Sequence, residues 1–243
     1  MPNFSFDTNM FRATSLFISS EETRYYLQGV HVQPVPDDAG GGVIMTATDG
    51  HRIASIYDEN GSADRKIILS CRWKDPALKT GKRETGRRAF LTGNLADGYV
   101  ATIRDCPGEI ETGDYPPQLS VMAFKEIDGT FPEWERVFPD DMPFEIDFPD
   151  AYAPTDKVPV SVPLAFNHNY LKSFGDAARI LTESKCMEMI LSSYLHKPLQ
   201  IRFSEAPHAA FGLMRMRGGI DTPFPEWLIK AKNRQRQLET DTP

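Results

Sequence analysis

The chain has 243 residues, of which 40% are hydrophobic and 25% charged, and a formal net charge of −7, values ordinary for a soluble globular protein of one or two domains. Its apolar runs are short fragments such as Ile67–Leu69, and its first residues lack the features of a signal peptide, which predicts a cytoplasmic protein without membrane spans. Three cysteines without CxxC or HxxxH spacing predict neither a disulfide framework nor a zinc site, and we expect buried or half-buried thiols.

The first predicted elements are a strand, a helix and three further strands. A short apolar strand from Phe4 leads into a helix that Asp7 or Thr8 would cap. Residues 24–35 alternate and are rich in Tyr and Val, which predicts a strand. After a turn, two more strands are predicted at residues 42–48 and 52–57.

This order of elements returns twice along the chain. The second round contains a strand at 66–70 and a short helix at 73–78, and its last strands are predicted at 88–91, 99–104 and 119–126. The third round begins with a strand at 158–162 and a helix at 169–181 that has apolar residues at helical spacing. Its last strands are predicted at 187–192, 199–203 and 210–216. The order of elements repeats although the sequence does not.

Two segments interrupt the pattern. Residues 138–156 are rich in Pro and Asp, as is typical of an interdomain linker. After Gly218, the apolar residues Phe224, Trp227 and Leu228 precede the basic run 230–236. That tail is predicted to form a short amphipathic helix, followed by a frayed end at residues 240–243.

Charge is distributed unevenly. Residues 65–88 carry nine basic side chains against Asp75 and Glu84, whereas residues 105–150 carry thirteen acidic side chains against Lys125 and Arg136. An acidic protein with one basic face can bind a polyanion at that face. Two solvated stretches of opposite sign explain the pattern equally well.

The segment ATDGHRIA at residues 47–54 predicts a tight turn between two strands. Asp49-Gly50 supplies the positive φ that such a turn needs, and we expect Arg52 to pair with Asp49. An alternative makes His51 a general base beside Asp49. No partner nucleophile or metal cluster in the sequence accompanies them.

Four motifs resemble the bacterial DNA polymerase III beta subunit, the sliding-clamp family. RYYLQG at 24–29, followed by ATDGHRIA, is similar to the signature of the family's middle domain, RYYL(N/Q)G…ATDGHR(L/I)A. DGTFPEWERVFP at 128–139 resembles the motif that closes that domain. FNHNYL at 166–171 and LMRMR at 213–217 resemble motifs of the last domain. All four occur in the family's order, which makes the combination specific.

The resemblance implies an α+β protein of the DNA-clamp fold, in which repeated strand–helix–strand units form antiparallel sheets with channel-facing helices. It implies a shortened relative that lacks the family's first domain and the first half of its last domain. Arg215 stands where the family's terminal motif has proline. The predicted divisions are a middle-type clamp domain at 1–139, a linker at 140–156, a partial last domain at 157–218 and a tail at 219–243.

As clamps encircle duplex DNA, the resemblance implies basic residues on or near the helices that touch phosphates weakly enough to permit sliding. Solvated Lys and Arg are also common on exposed helices, so each position is a separate prediction. The expected DNA contacts are Arg12, Arg24, Arg72, Lys74, Lys79, Lys172 and Arg179.

The resemblance also implies a hydrophobic groove that accepts a short peptide carrying Leu and Phe from polymerases or repair proteins. Methionines suit a groove with many partners, although a C-terminal core strand explains them equally well. The expected groove residues are Leu27, Thr48, Gly50, His51, Arg52 and Ile53 on one wall, Pro139 at the floor, and Met214, Met216 and Arg217 on the other wall.

The implied function is therefore a processivity factor without catalytic residues, cofactor or metal. Its expected partners are duplex DNA, a polymerase or repair protein, a clamp loader and further copies of the chain, since a closed ring needs an oligomer. Two alternatives remain: an interaction module that kept the peptide groove without a ring, and an enzyme that uses His51 and Asp49.

Overall fold

The computed structural model describes residues 4–70, 87–94, 98–105, 118–138, 166–183, 185–190, 198–214 and 216. All of these except Met216 belong to one compact unit. Neither described α-helix is long and apolar enough to cross a membrane.

The first half of the unit follows the predicted order of elements. Strand β1 (Phe4–Asp7) leads directly into helix α1 (Thr8–Ser15), because the Asp7 carboxylate accepts hydrogen bonds from the backbone N–H groups of Asn9 and Met10 at 2.8 and 3.0 Å. Strands β2 (Val30–Pro34), β3 (Val43–Thr48) and β4 (Arg52–Asp58) then form an antiparallel meander.

The prediction of a strand at 24–35 is wrong for its first residues and confirmed for its later ones. Residues Glu22–Leu27 form a short 3-10 helix, and the strand begins only at Val30. Tyr25, Tyr26 and Leu27 are residue types common in strands, but here they form a turn of helix in which Tyr25 is exposed and Leu27 is buried. The backbone N–H of Ser19 donates to the carbonyl of Leu27 at 2.8 Å, and this bond holds the turn against the end of α1.

Strands β5 (Ser62–Ala63), β6 (Ile67–Ser70), β7 (Arg87–Asn94), β8 (Gly98–Asp105) and β9 (Gln118–Glu126) follow. They confirm the strands predicted between residues 66 and 126, and β5 is an addition that the sequence did not indicate. The helix predicted at 73–78 lies outside the described residues.

The last part confirms the predicted helix and the three strands after it. Helix α2 (His168–Leu181) is capped by Asn167, whose side chain accepts from the backbone N–H of Asn169 at 3.0 Å. Strands β10 (Met187–Ile190), β11 (Leu199–Phe203) and β12 (Ala209–Leu213) form a second meander. Two further short 3-10 turns lie at Asp37–Ala39 and Trp134–Val137. Cys186, which we expected to be buried, is exposed just before β10.

All described strand pairs are antiparallel, in the order β10-β11-β12-β4-β3-β2-β6-β9-β8-β7-β1-β5. The α+β prediction with antiparallel sheets is confirmed. Strand β12 pairs with β4, so that Leu213 lies opposite Arg52 and Ala209 lies opposite Ile56. The two meanders, each preceded by a helix, therefore continue one another side by side.

The two helices pack against each other over the joined meanders. The ring of Phe17, just after α1, lies 5.1 Å from that of Phe174 in α2 and 5.4 Å from that of Phe211 in β12. Beneath them, Val32, Met45 and other apolar residues of the sheet are fully buried. Burying these large side chains supplies the main stabilisation of this layer pair.

A buried ion pair connects the meander to the other half of the sheet. Asp58, at the end of β4, accepts two hydrogen bonds from the Arg88 guanidinium of β7, at 2.8 and 3.2 Å. The same carboxylate accepts from the backbone N–H of Asp7 at 2.8 Å and of Asn60 at 3.2 Å. The side chains of Asp58 and Arg88 are 3% and 8% exposed, so loss of either one would leave the charge of the other buried without compensation.

The domain at 1–139 and the partial domain at 157–218 share one sheet where they are described. The linker at 140–156 and the tail at 219–243 lie outside the described residues, so the division into domains stays a prediction.

Replacing Arg88 by Met should lower the free energy of unfolding by about 3–5 kcal/mol, because the substitution leaves the Asp58 carboxylate buried without its counter-charge. Urea unfolding at pH 7 measures the change. The matched control is Arg136→Met, which removes an ion pair whose side chains are 82% and 69% exposed and should cost less than about 1 kcal/mol. Equal losses in the two variants would contradict the structural role of the buried pair.

Candidate functional site

The turn between β3 and β4 is built by its own side chains. The Thr48 hydroxyl donates to the carbonyl of Arg52 at 2.8 Å and accepts from the N–H of Gly50 at 3.0 Å. Asp49 accepts from the backbone N–H groups of His51 and Arg52 at 2.9 and 3.0 Å. Gly50 has φ +88°, and a Cβ there would lie 2.6 Å from a guanidinium nitrogen of Arg24. The predicted positive φ of Gly50 is confirmed, and no larger residue fits without displacing Arg24.

The Asp49 carboxylate binds three donors of this turn. Its second oxygen accepts from Nε of Arg52 at 2.8 Å, which confirms the predicted pair. Three donors therefore share the carboxylate, and the His51 imidazole is not among its hydrogen-bond partners in the described part of the chain. The His51 ring instead stacks on Tyr170, with 5.8 Å between centroids and 17° between planes.

Arg52 connects the turn to both helices. Its guanidinium donates to the hydroxyl of Ser173 in α2. It also lies over the rings of Tyr170 at 5.1 Å and Phe17 at 5.3 Å. A cation held between two aromatic faces and a carboxylate fixes the position of α2 relative to the start of β4.

The end of β12 lies beside the same turn. The backbone N–H of Met214 donates to the carbonyl of His51 at 2.8 Å, which extends the pairing of Leu213 with Arg52. The Met214 side chain is 37% exposed. The structure therefore brings the ATDGHR and LMRMR motifs into contact, although they are far apart in the sequence.

The predicted groove residues do not all lie together. Leu27 and Ile53 are buried, 3% and 2% exposed, and Ile53 packs against the strand that contains Gly212. Met216 is exposed, and both of its neighbours in the sequence lie outside the described residues. Pro139 and Arg217 lie outside the described residues. The residues that the structure brings together are Thr48, Gly50, His51, Arg52, Ile53 and Met214; their use in peptide binding stays a prediction.

Three aromatic residues of the motifs that carry the predicted groove were missed. Tyr25 is exposed, and its ring lies 5.8 Å from that of Tyr26. Tyr170 lies against His51, and burial, followed by the nearby Asp49 charge, raises the pKa of its hydroxyl. The RYYLQG and FNHNYL motifs contain these residues, so the signal was present in the sequence. The predicted groove took only Leu27 from the first motif and nothing from the second.

The predicted DNA-contacting residues occupy different places. Lys172 and Arg179 are exposed on α2, where Arg179 pairs with Asp176 at 2.6 Å, and Arg12 is half-buried on α1. Arg24 lies against the Gly50 turn and pairs with Glu21 at 2.6 Å; this hydrogen bond raises the pKa of the arginine. Arg72, Lys74 and Lys79 lie outside the described residues.

Within the described ranges, no group of three His, Cys, Asp or Glu side chains is placed to hold a metal ion.

Comparison with known proteins points to sliding clamps. The chain is 27% identical over 128 residues to the beta sliding clamp of Caulobacter vibrioides strain NA1000 / CB15N, which covers 53% of this chain and 31% of that protein. It is 28% identical over 129 residues to the beta sliding clamp of Synechococcus elongatus, which covers 53% and 30%. The match thus spans about a third of the length of these relatives. No protein-family model matches the chain.

Solved structures of sliding clamps are similar to this chain over more of its length. The sliding clamp (DNA polymerase III subunit beta) of Bartonella birtlesii superposes with a TM-score of 0.56 at 21% identity, covering 90% of this chain and 67% of that one. At this identity the likeness establishes the fold. The predicted DNA-clamp fold and the resemblance to beta sliding clamps are both confirmed.

Replacing Arg52 by Met should destabilise the protein by about 1.5–3 kcal/mol, because it removes charge-assisted hydrogen bonds to Asp49 and Ser173. In hydrogen exchange, the substitution should make α2 open faster than it does in the unchanged protein. Exchange of β8 and β9, which belong to the other half of the sheet, should change less. The control is Arg24→Met, which removes a more exposed ion pair. Unchanged exchange in α2 would contradict the role of Arg52 in holding that helix.

Proposed function

We propose that this chain is a sliding-clamp-like processivity factor that contacts or encircles duplex DNA and binds polymerase or repair proteins through a peptide groove. The observation that carries the proposal is the meeting of the Gly50 turn with Met214, the two segments from which the resemblance builds the groove. The clamp fold supports the same conclusion. The proposed site of action is the cytoplasm, and no turnover is proposed.

The groove would bind by burying apolar anchors of a peptide. Ile53, which pairs with Thr48 beside the Gly50 turn, is buried and would give the site an apolar base. Leu27, which the resemblance assigns to the same groove, is buried as well. Met214 is exposed next to His51 and offers apolar contact area. The thioether side chain of Met214 adapts to different anchors, as a protein with several partners requires.

DNA would be held by the helices rather than by the sheet. Lys172 and Arg179 lie on the exposed side of α2, away from the Phe174 side that packs on Phe17. Contacts from such side chains to phosphates are weak and screened by salt, which suits a protein that slides. A closed ring around DNA requires further copies of the chain, and loading that ring requires a clamp loader.

The alternative of an interaction module without a ring has one specific support. Asp176 pairs with Arg179 and offsets its charge, so the described face of α2 carries little net positive charge. Loading onto circular DNA separates the two functions, because only a ring would stay on a closed circle after a wash in high salt.

The enzyme alternative finds little support. A His51 base would need a carboxylate to orient it, and the Asp49 carboxylate already accepts from two backbone N–H groups and from Arg52.

Met214→Lys should weaken binding of a peptide with Leu and Phe anchors at least about tenfold, because a charge would replace apolar contact area in the groove. Fluorescence polarisation of a labelled peptide measures the affinity. The matched control is Met189→Lys, which makes the same change at an exposed methionine of β10. If the two variants bind like the unchanged protein, the proposed groove is wrong.

The double variant Lys172→Ala and Arg179→Ala should weaken duplex DNA binding and flatten the dependence of log affinity on log salt. The slope should fall by about 0.9 for each phosphate that the protein no longer neutralises. Titration at several salt concentrations measures both quantities. Arg136→Ala removes an exposed cation far along the chain from α2 and should leave the slope unchanged. An unaltered slope in the double variant would favour the module that lacks a DNA ring.

A further inference from the structure

A cavity of about 520 Å³ lies between strands β2 and β6 and the segment that follows β9. One wall is formed by His31 and Gln33 of β2. The opposite wall is formed by residues 127–135, which include Phe131 and Trp134. The volume lies in the range of sites that bind small molecules.

The cavity is separate from the proposed peptide groove. Neither the residues of the Gly50 turn nor Met214 line it, and the same holds for the other groove residues that the structure describes. In the sheet, strands β3 and β4 lie between β2 and β12. A ligand in the cavity and a peptide in the groove would therefore bind to different residues.

Three residues that line the cavity carry buried polar atoms without partners. His31 Nδ1, Gln33 Oε1 and Trp134 Nε1 have no hydrogen-bond partner among the described residues. Each such atom costs free energy unless something satisfies it, and native proteins contain few of them. Three around one cavity indicate an occupant with hydrogen-bonding groups of its own.

The chemistry of these atoms narrows the occupant. The Trp134 indole N–H only donates, so it requires an acceptor, whereas Gln33 Oε1 accepts and requires a donor. Burial, followed by the charge of Lys66, lowers the pKa of His31 from 6.5 to about 4. His31 is therefore a neutral imidazole at pH 7, and Nδ1 accepts in the tautomer that protonates the other nitrogen. The occupant must offer donors toward β2 and an acceptor toward Trp134.

Aromatic and apolar side chains in the walls favour a flat ring as the occupant. The ring of His31 stacks on Phe131, with 4.7 Å between centroids and 7° between planes, and Trp134 lies in the same wall as Phe131. Ile68, which is 3% exposed, lines the opposite wall. Water alone would satisfy the polar atoms but leave these apolar surfaces hydrated, whereas a heteroaromatic ring serves both needs.

Charge at the rim favours an occupant without negative charge. Asp128 and Glu135 line the cavity without an ion pair in the described ranges, and Lys66 opposes them. The two other carboxylates of the rim are held by arginines, Glu126 by Arg65 at 2.8 Å and Glu133 by Arg136 at 2.7 Å. Two carboxylates thus face one lysine, which disfavours a carboxylate or phosphate group in the cavity.

We infer that this cavity is a binding site for a neutral aminopurine, a ring of the adenine type, presented as a free base or nucleoside. The amino group donates to Gln33 Oε1 and to His31 Nδ1, and a ring nitrogen accepts from the Trp134 N–H. Because ring nitrogens lie all around a purine, one flat molecule reaches both walls.

Isothermal titration calorimetry at pH 7 compares adenosine with purine riboside, which lacks only the amino group. Adenosine should bind at least about fivefold more tightly, because its amino group donates to Gln33. Adenosine 5′-monophosphate should bind at least about threefold more weakly than adenosine, since the rim carboxylates repel its phosphate. This last comparison separates a free nucleoside from a base in a nucleic acid strand, which also carries phosphates.

Two variants assign the contacts to the cavity. Gln33→Met removes the acceptor at similar size, so it should lower the affinity of adenosine to that of purine riboside and leave purine riboside unchanged. Trp134→Phe removes the N–H and keeps an aromatic ring, so it should weaken both nucleosides equally. The matched control is Gln200→Met, the same change at a buried glutamine of β11 that does not line the cavity, and it should alter neither affinity.

The Trp134 indole N–H also gives a direct signal. Each of the three tryptophans contributes one indole N–H peak to a heteronuclear NMR spectrum, and the Trp134→Phe variant identifies the peak of Trp134. Adenosine and purine riboside should both move that peak downfield, because the indole proton gains an acceptor.

Three results would overturn the assignment. No binding of adenosine at millimolar concentration would mean that water alone fills the cavity. Adenosine affinity that survives both Gln33→Met and Trp134→Phe would place the nucleoside elsewhere. Adenosine 5′-monophosphate that binds as tightly as adenosine would contradict the preference for a neutral ligand.

Discussion

The position of Arg52 is the constraint on which the site depends. Its guanidinium is shared by the Asp49 carboxylate, the Ser173 hydroxyl and two aromatic faces. One side chain thus joins the β3–β4 turn, helix α2 and the end of helix α1. Because Arg is planar and always charged, it can satisfy these partners together where Lys would satisfy only some of them.

The pairing of β12 with β4 extends the same constraint into the backbone. It places Met214 beside His51 and makes the two helix-and-meander units continuous. On the far side of the meander, the buried pair of Asp58 and Arg88 holds β4 to β7. The turn at Gly50 is therefore fixed from both ends of β4, which would give the proposed peptide groove a rigid base.

Most elements were predictable from the sequence, and the exceptions have physical causes. The sequence predicted the strands from β3 to β9 except the two-residue β5, which is too short to show a pattern. The 3-10 helix at Glu22–Leu27 was mistaken for a strand, since its two tyrosines are residues that favour strands. The contact of Arg52 with Tyr170 needed the fold, because 118 residues of sequence separate them and no local pattern reports such a pairing. The cavity beside His31 was equally hidden, as its walls come from three separate segments.

Hydrogen exchange with and without a peptide that carries Leu and Phe anchors tests the central claim most directly. We expect the peptide to slow exchange at residues 49–52 and at Met214, the two segments that meet at the proposed groove, while β8 exchanges as before. Protection confined to β8 and its neighbours, or none at a peptide concentration that saturates binding, would contradict it.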